Sequence, residues 1–265
     1  MAARSTGRLQ STSHELGPWF HNLHLPDGIE TAPDHPLGDF PSYKWQAIAP
    51  HIPEDLTGWR ALDVGCNAGF FTFELAKRGA EVTALDIDPH YLRQAEWAAE
   101  RFGLSDSITF RQGTVYDLAR LDEDYDLVWF MGVFYHLRYP QLALDLIVER
   151  TRRLLVFQTL TSPGDGEADV PANLRIDERQ RMLDPAWPKM AFIEHQFEDD
   201  PTNWWAANDA CVRALLRSSG MRVISVLTDL ETYLCEPTDD LDAWTREAIR
   251  RECRVASGRD FDVVS

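Results

Sequence analysis

The sequence predicts a doubly wound α/β fold around a mostly parallel, seven-stranded sheet. Three observations carry this. Short apolar strand segments alternate with helix-period segments from Trp59 to Gln158. The first strand, ending at Val64, runs through a Gly65…Gly69 loop into the apolar-periodic Phe70-Phe71-Thr72-Phe73-Glu74-Leu75-Ala76. Two more strand segments lie near the C-terminus with no helix between them, as an antiparallel edge requires. Alternation of this kind makes a parallel sheet covered on both faces, with ligands bound beyond the carboxyl ends of its strands.

Taken in order, Met1 to Ser13 is rich in Arg and Ser without an apolar signal core, and is expected to be a disordered start. The rest of the segment up to residue 55 is rich in Pro, His and aromatics, including Gly17-Pro18-Trp19-Phe20-His21. It is too short for a core of its own and is expected to cap the ligand cleft. A helix from Lys44 to His51 is predicted there, stopped by Pro50 and Pro53.

The core spans 56–237. After Trp59–Val64 come a strand Val82–Leu85 ending in Asp86, a helix Pro89–Phe102, and strands Ile108–Phe110 and Tyr125–Met131. A helix Pro140–Arg150 leads into a strand Arg153–Gln158. Residues 160–205 break the rhythm with several prolines and with Trp187, Phe192, His195, Phe197, Trp204 and Trp205, so an aromatic lid is expected there. Helix Asn208–Ser219 ends at Gly220, strands Met221–Val226 and Thr232–Cys235 close the sheet, and 238–265 are a helix and tail.

The loop after the first strand specifies its ligand by what it lacks. A dinucleotide loop reads G-x-G-x-x-G, but here the middle position is Asn67 and the last is Phe70. No Gly-Lys-Ser/Thr follows, which excludes a triphosphate cradle. Asp86, about twenty residues after Gly65, is placed to accept two ribose hydroxyls. A nucleoside without phosphates fits, and S-adenosylmethionine (SAM) is the common one.

The formal net charge of −17 repels phosphate backbones at long range, so nucleic acid is a disfavoured partner and a small-molecule acceptor is expected. No apolar run approaches a membrane span, and nothing in the sequence specifies an oligomeric state. Cys66, Cys211, Cys235 and Cys253 lack C-x-x-C spacing, so reduced thiols in a cytoplasmic protein are expected, with no metal site.

Over about residues 56–237 the chain resembles the class I SAM-dependent methyltransferases, which are Rossmann-like. Asp63-Val64-Gly65-Cys66-x-x-Gly69, Asp86 and the strand order carry that resemblance. Tyr43-Lys44-Trp45, Met131-Gly132-Val133-Phe134-Tyr135-His136 and Asn203-Trp204-Trp205 add a narrower one, to the bacterial tRNA wobble-uridine carboxymethyltransferase family, whose members use carboxy-SAM. The resemblance implies cofactor contacts at Lys44, Gly65, Asp86, Thr114, Val115, Met131 and Tyr135. Asp63, Asn67 and Gly69 of the loop motif complete the expected set. Two positions depart from that family. Phe20-His21 stands where it has a basic residue after Gly-Pro-Trp, and the acidic Glu236-Pro237-Thr238-Asp239-Asp240 offers no counterpart to its arginine. A second carboxylate on the cofactor wants a fixed cation, so ordinary SAM is the expected donor.

Asn67 is either a donor to the methionine moiety or a left-handed turn residue. Tyr135 and His136 are the catalytic candidates, with His136 able to take a proton from a hydroxyl or amine. His195 is a weaker candidate, and His14, His21 and His24 are too scattered to bind a metal. The expected activity is methyl transfer to an oxygen or nitrogen of a small molecule. The alternatives are methyl or carboxymethyl transfer to a tRNA wobble base, and SAM binding without catalysis.

Overall fold

The computed structural model describes residues 13–163 and 169–259. The segments 1–12, 164–168 and 260–265, which include most of the expected disordered start and part of the expected tail, lie outside the described residues. Among the described residues the main sheet has seven strands, in the order β3 (Ile108–Gln112), β2 (Glu81–Asp86), β1 (Arg60–Val64), β4 (Tyr125–Met131), β5 (Thr151–Gln158), β9 (Thr232–Pro237) and β8 (Met221–Leu227). The order reverses at β1, which is the switch point beside which ligands of such sheets bind. The described residues form two compact units, 13–117 with 124–129, and 118–123 with 130–163 and 169–259.

In the first unit, helix α1 (Phe40–Ile48) is followed by a single 3₁₀ turn, Ala49–His51. The predicted helix began four residues later, at Lys44. Pro41 explains the difference, because proline in the first turn loses no hydrogen bond and arrives with a helical φ. Strand β1 (Arg60–Val64) pairs in parallel with β2 (Glu81–Asp86), placing Val64 opposite Leu85. Strand β3 (Ile108–Gln112) pairs in parallel with β2, with Gln112 opposite Asp86. Between β1 and β2 lies α2 (Phe70–Lys77), and between β2 and β3 lies α3 (Pro89–Phe102).

Helix α3 has the bounds that its capping residues dictate. The Asp88 side chain accepts the His90 amide at 2.8 Å, Pro89 opens the first turn, and Gly103 closes the helix at φ 67°. Leu16, Pro18, Trp19 and Asp27 of the preceding segment contact this helix. Gln94 Nε2 donates to the carbonyls of Leu16 and Pro18 at 2.7 and 2.8 Å, and Trp19 lies 5.7 Å from Trp97.

Strand β4 (Tyr125–Met131) is apolar at six of its seven residues, and Leu127 to Met131 are all buried. A strand covered on both faces is apolar throughout rather than alternating. In the second unit, α4 (Pro140–Arg150) leads into β5 (Thr151–Gln158). Strand β9 (Thr232–Pro237) runs antiparallel to β5 and to β8 (Met221–Leu227), so the predicted antiparallel edge is present. Phe130, Phe134, Phe157 and Tyr233 fill the interior here, each no more than 2% exposed. Helix α5 (Asp209–Ser218) is capped by Asn208, which accepts the Cys211 amide at 2.9 Å.

The expected lid contains a 3₁₀ stretch, Ile176–Leu183, and a small antiparallel pair of β6 (Met190–Phe192) with β7 (Trp205–Ala207). Helix α6 (Ala243–Ala256) begins five residues after the predicted 238, where Asp242 caps the Thr245 amide at 3.0 Å. Arg259, in the expected tail, is paired with Glu149 of α4 at 2.9 Å. No helix among the described residues is long and apolar enough to cross a membrane.

Candidate active site

The first unit holds the loop between β1 and α2. Gly65, Asn67 and Gly69 all have positive φ, at 74°, 51° and 89°. The Gly65 and Cys66 amides donate to the Leu85 carbonyl at 2.8 and 3.1 Å, folding the loop over the end of β2. Gly69 is required twice over. Its φ is costly for any L side chain, and an added Cβ would sit 2.8 Å from Phe73 Cζ. Asn67 serves the turn, since its Oδ1 accepts the Ala68 amide at 2.7 Å.

Asp86 ends β2 and is 7% exposed. One carboxylate oxygen accepts the Asn67 amide at 2.8 Å and the other accepts the Asp88 amide at 2.9 Å. Each oxygen has two lone pairs, so both keep a further accepting direction. Burial pushes this carboxyl up, and the two amides pull it back. Asp63 is a different kind of residue. It is 2% exposed and accepts the Thr72 hydroxyl at 2.6 Å, bracing β1 against α2. Burial raises its carboxyl to about 7, against the opposing pull of Thr72 and with a push from Asp86.

Thr114 and Val115 follow β3. The Thr114 amide and hydroxyl both donate to one oxygen of Asp117, at 2.8 and 2.9 Å, and Val115 is buried. Asp117 was not singled out from sequence, although a Thr three residues before an Asp is a recognisable local turn signal. Lys44 lies on α1, 5.7 Å from the Phe40 ring. His21 is 6% exposed among Phe40, Phe70 and Phe71, with ring centroids 5.7 to 6.4 Å away. Burial, then the charge of Lys44, then His35 lower its pKa to about 3. His21 is therefore neutral at ordinary pH.

The second unit holds the residues after β4. Met131 is buried at the strand end and Gly132 turns the chain at φ 72°. A 3₁₀ turn, Phe134–His136, then presents Tyr135 and His136 with ring centroids 4.2 Å apart. Burial, reinforced by Asp200 and Glu231, pushes the Tyr135 phenol up to about 12, so it stays protonated. Glu231 in turn accepts the Thr161 amide at 2.9 Å and the Thr161 hydroxyl.

His136 Nδ1 lies 2.9 Å from Thr202 Oγ1 and 3.3 Å from the Thr202 carbonyl. Burial lowers the His136 pKa, while Asp200 and the Thr202 carbonyl oppose the fall. Backbone and indole bonds fix this neighbourhood. The Trp204 amide donates to the Tyr135 carbonyl and Trp205 Nε1 to the Leu137 carbonyl, both at 2.9 Å. His195 is exposed, and His24 is paired with Asp39 at 2.7 Å. Among the described residues no group of three His, Cys, Asp or Glu could hold a metal, and the four cysteines are free and buried.

Residues 61–156 match a family described as a methyltransferase domain. A tRNA U34 carboxymethyltransferase of Pseudomonas paraeruginosa (strain DSM 24068 / PA7) is 35% identical over 158 residues, 57% of this chain and 47% of that protein. A tRNA U34 carboxymethyltransferase of Azotobacter vinelandii is 34% identical over 159 residues, with the same shares covered. The chain thus spans about half the length of these relatives. The crystal structure of the N-terminal domain of EvdMO1 with SAH bound superposes with a TM-score of 0.61. It covers 88% of this chain and 96% of that one, at 22% identity, a likeness of fold.

The relatives correct one expectation. A small-molecule acceptor with nucleic acid disfavoured was inferred from net charge, yet these relatives are named for tRNA. Net charge is a sum over the whole chain, whereas salt screens charges beyond about 8 Å, so the local surface decides binding. Residues 61–156 are thus similar to the methyltransferase-domain family, the fold is that of the SAH-bound EvdMO1 domain, and over more than half of its length the chain resembles the tRNA U34 carboxymethyltransferases.

Proposed function

We propose that the chain binds SAM and transfers its methyl group to an oxygen or nitrogen of a tRNA wobble uridine. One observation carries the cofactor. Asp86 is a buried carboxylate at the carboxyl end of β2, the strand next to β1, and each of its oxygens retains a lone pair after serving the backbone. Two adjacent ribose hydroxyls match that pair of acceptors. In this reading Gly65 and Gly69 let the backbone approach the ligand, and Thr114 and Val115 face the adenine. Lys44 offers a cation to the methionine carboxylate, and Met131 and Tyr135 contact the cofactor at the end of β4. The acceptor rests on the relatives' names.

The bound sulfonium would supply an already activated methyl group, so the protein's work is alignment, exclusion of water and removal of a proton. His136 takes the proton where the acceptor is protonated at neutral pH. Ordinary SAM is favoured over its carboxylated form because His21 is neutral and Glu236 is engaged with Arg222 at 3.0 Å. Neither position presents a fixed cation to a second carboxylate.

The experiment is transfer of a labelled methyl group from SAM to unmodified tRNA, followed by nuclease digestion. Label in the anticodon-loop fragment is the expected result. Label confined to small molecules, or none, overturns the acceptor assignment.

A further inference from the structure

Around His136 the hydrogen bonds determine which nitrogen carries the proton. The Thr202 hydroxyl donates to Asp200 Oδ1 at 2.6 Å, so its one proton is committed. Thr202 Oγ1 therefore meets His136 Nδ1, 2.9 Å away, only as an acceptor. The Thr202 carbonyl, 3.3 Å from the same nitrogen, is an acceptor as well. Two acceptors around Nδ1 require a proton there, which leaves the neutral ring's lone pair on Nε2.

The backbone that presents Asp200 is itself unusual. Phe197 and Asp200 exchange backbone hydrogen bonds at 3.1 and 3.2 Å across Glu198 and Asp199, which have φ 52° and 59°. Two consecutive left-handed residues make a type I′ turn, a conformation in which Asn-Gly is the usual pair. Glu and Asp at these positions are strained, and such strain collects at functional sites. Asp200 Oδ1 also accepts the Thr202 amide at 2.7 Å, so its carboxylate is held in place by two donors.

We propose that Asp200 and Thr202 are positioning residues, which fix the His136 ring with Nδ1 protonated and Nε2 free to accept a proton. This rests on the reading of His136 as the base. As the acceptor's electron pair forms the new bond to carbon, His136 Nε2 takes the acceptor's proton. The carbon–sulfur pair leaves with sulfur, which ends as a neutral thioether. The imidazolium left behind faces the Asp200 carboxylate, whose nearer oxygen lies 3.8 Å from Nδ1. The other titratable groups concerned are Tyr135, whose ring lies tilted at 43° against that of His136 and which stays protonated, and Glu231, which acts on Tyr135.

The test has two independent readouts. Nitrogen NMR of the full chain, without ligand, reports the His136 tautomer directly. Wild type is expected to show Nδ1 protonated, and Thr202→Val a mixture of tautomers, because only the longer contact to the backbone carbonyl of residue 202 remains. Kinetics with SAM and tRNA then read the consequence. Asp200→Asn and Thr202→Val are each expected to lower kcat about 10–100-fold with KM for SAM near wild type, within the range a general base supplies. Asp200→Asn should also shift the limb of the pH profile that His136 governs toward lower pH. Thr202→Ser, which keeps the hydroxyl, is expected to restore both the tautomer and the rate. Nδ1 unprotonated in wild type overturns the proposal, as does a Thr202→Ser variant as impaired as Thr202→Val. An Nδ1-protonated ring in an enzyme that modifies no tRNA would overturn the acceptor reading and leave the tautomer assignment standing.

Discussion

Asp86 accepts the backbone amide of Asn67 at 2.8 Å, so one carboxylate both ends β2 and fixes the left-handed turn of the loop after β1. The position assigned to the ribose and the shape of the loop thus depend on a single side chain. Asp86→Ala is expected to weaken SAM binding by about 2–3 kcal/mol, the scale of charge-assisted hydrogen bonds to a buried acceptor. Titration calorimetry with SAM checks this, and affinity equal to wild type would remove Asp86 from the cofactor site.

Asp63 makes an opposite kind of prediction, about stability. Its carboxyl is raised from the usual 3.8 to about 7 in the folded chain. A raised carboxyl favours the folded state while protonated in both states, so its contribution is full below about pH 4 and is lost as pH rises toward 7. At about 1.4 kcal/mol per pH unit the loss approaches about 4 kcal/mol. Asp63→Asn keeps an acceptor for the Thr72 hydroxyl and carries no charge. Thermal melts should show the variant more stable than wild type at about pH 8, with the difference closing near about pH 4.

His21 has the reverse sign. Its pKa falls from 6.5 to about 3 on folding, so stability is lost as pH drops below about 6.5. His21→Phe, in a nest of Phe40, Phe70 and Phe71, should flatten that acid limb. The gain should be about 2–3 kcal/mol at about pH 4.5. Chemical denaturation across that range measures it, and parallel acid limbs in the two proteins would count against a buried neutral His21.

Gly69→Ala should cost about 1–3 kcal/mol, from a left-handed φ of 89° and a Cβ placed 2.8 Å from Phe73 Cζ. A lower melting temperature together with weaker SAM binding is the expected pair of results. A variant as stable as wild type would show that the loop adjusts without strain.

Much of this was legible in the sequence where structure is local. Asp88, Pro89 and Gly103 bracket α3 to the residue, because caps and helix breakers act within one turn. The alternation of strands and helices revealed a sheet covered on both faces, and the apolar run of β4 agrees with it. Asp86 and the glycines of the loop could be singled out because their spacing follows from the βαβ unit. The start of α1 was not legible because proline marks a loop as readily as a helix's first turn, where Pro41 lies. The β6–β7 pair was missed because three-residue strands exist only through their partner. The neighbours of His136 were invisible for the same reason, since Thr202 lies 66 residues further along the chain. The role of Asp63 shows only in its burial, which an apolar strand carrying one carboxylate does not reveal by itself.

The proposed reaction takes SAM as the donor and the wobble uridine of tRNA as the acceptor. Nucleoside mass spectrometry of tRNA, after incubation with equal amounts of SAM and carboxy-SAM, tests both halves at once. A methyl group on the nucleoside from position 34, lost in Asp86→Ala, is the expected result. A carboxymethyl group there would contradict the choice of donor, and an unmodified position 34 with a protein that binds SAM would contradict the choice of acceptor.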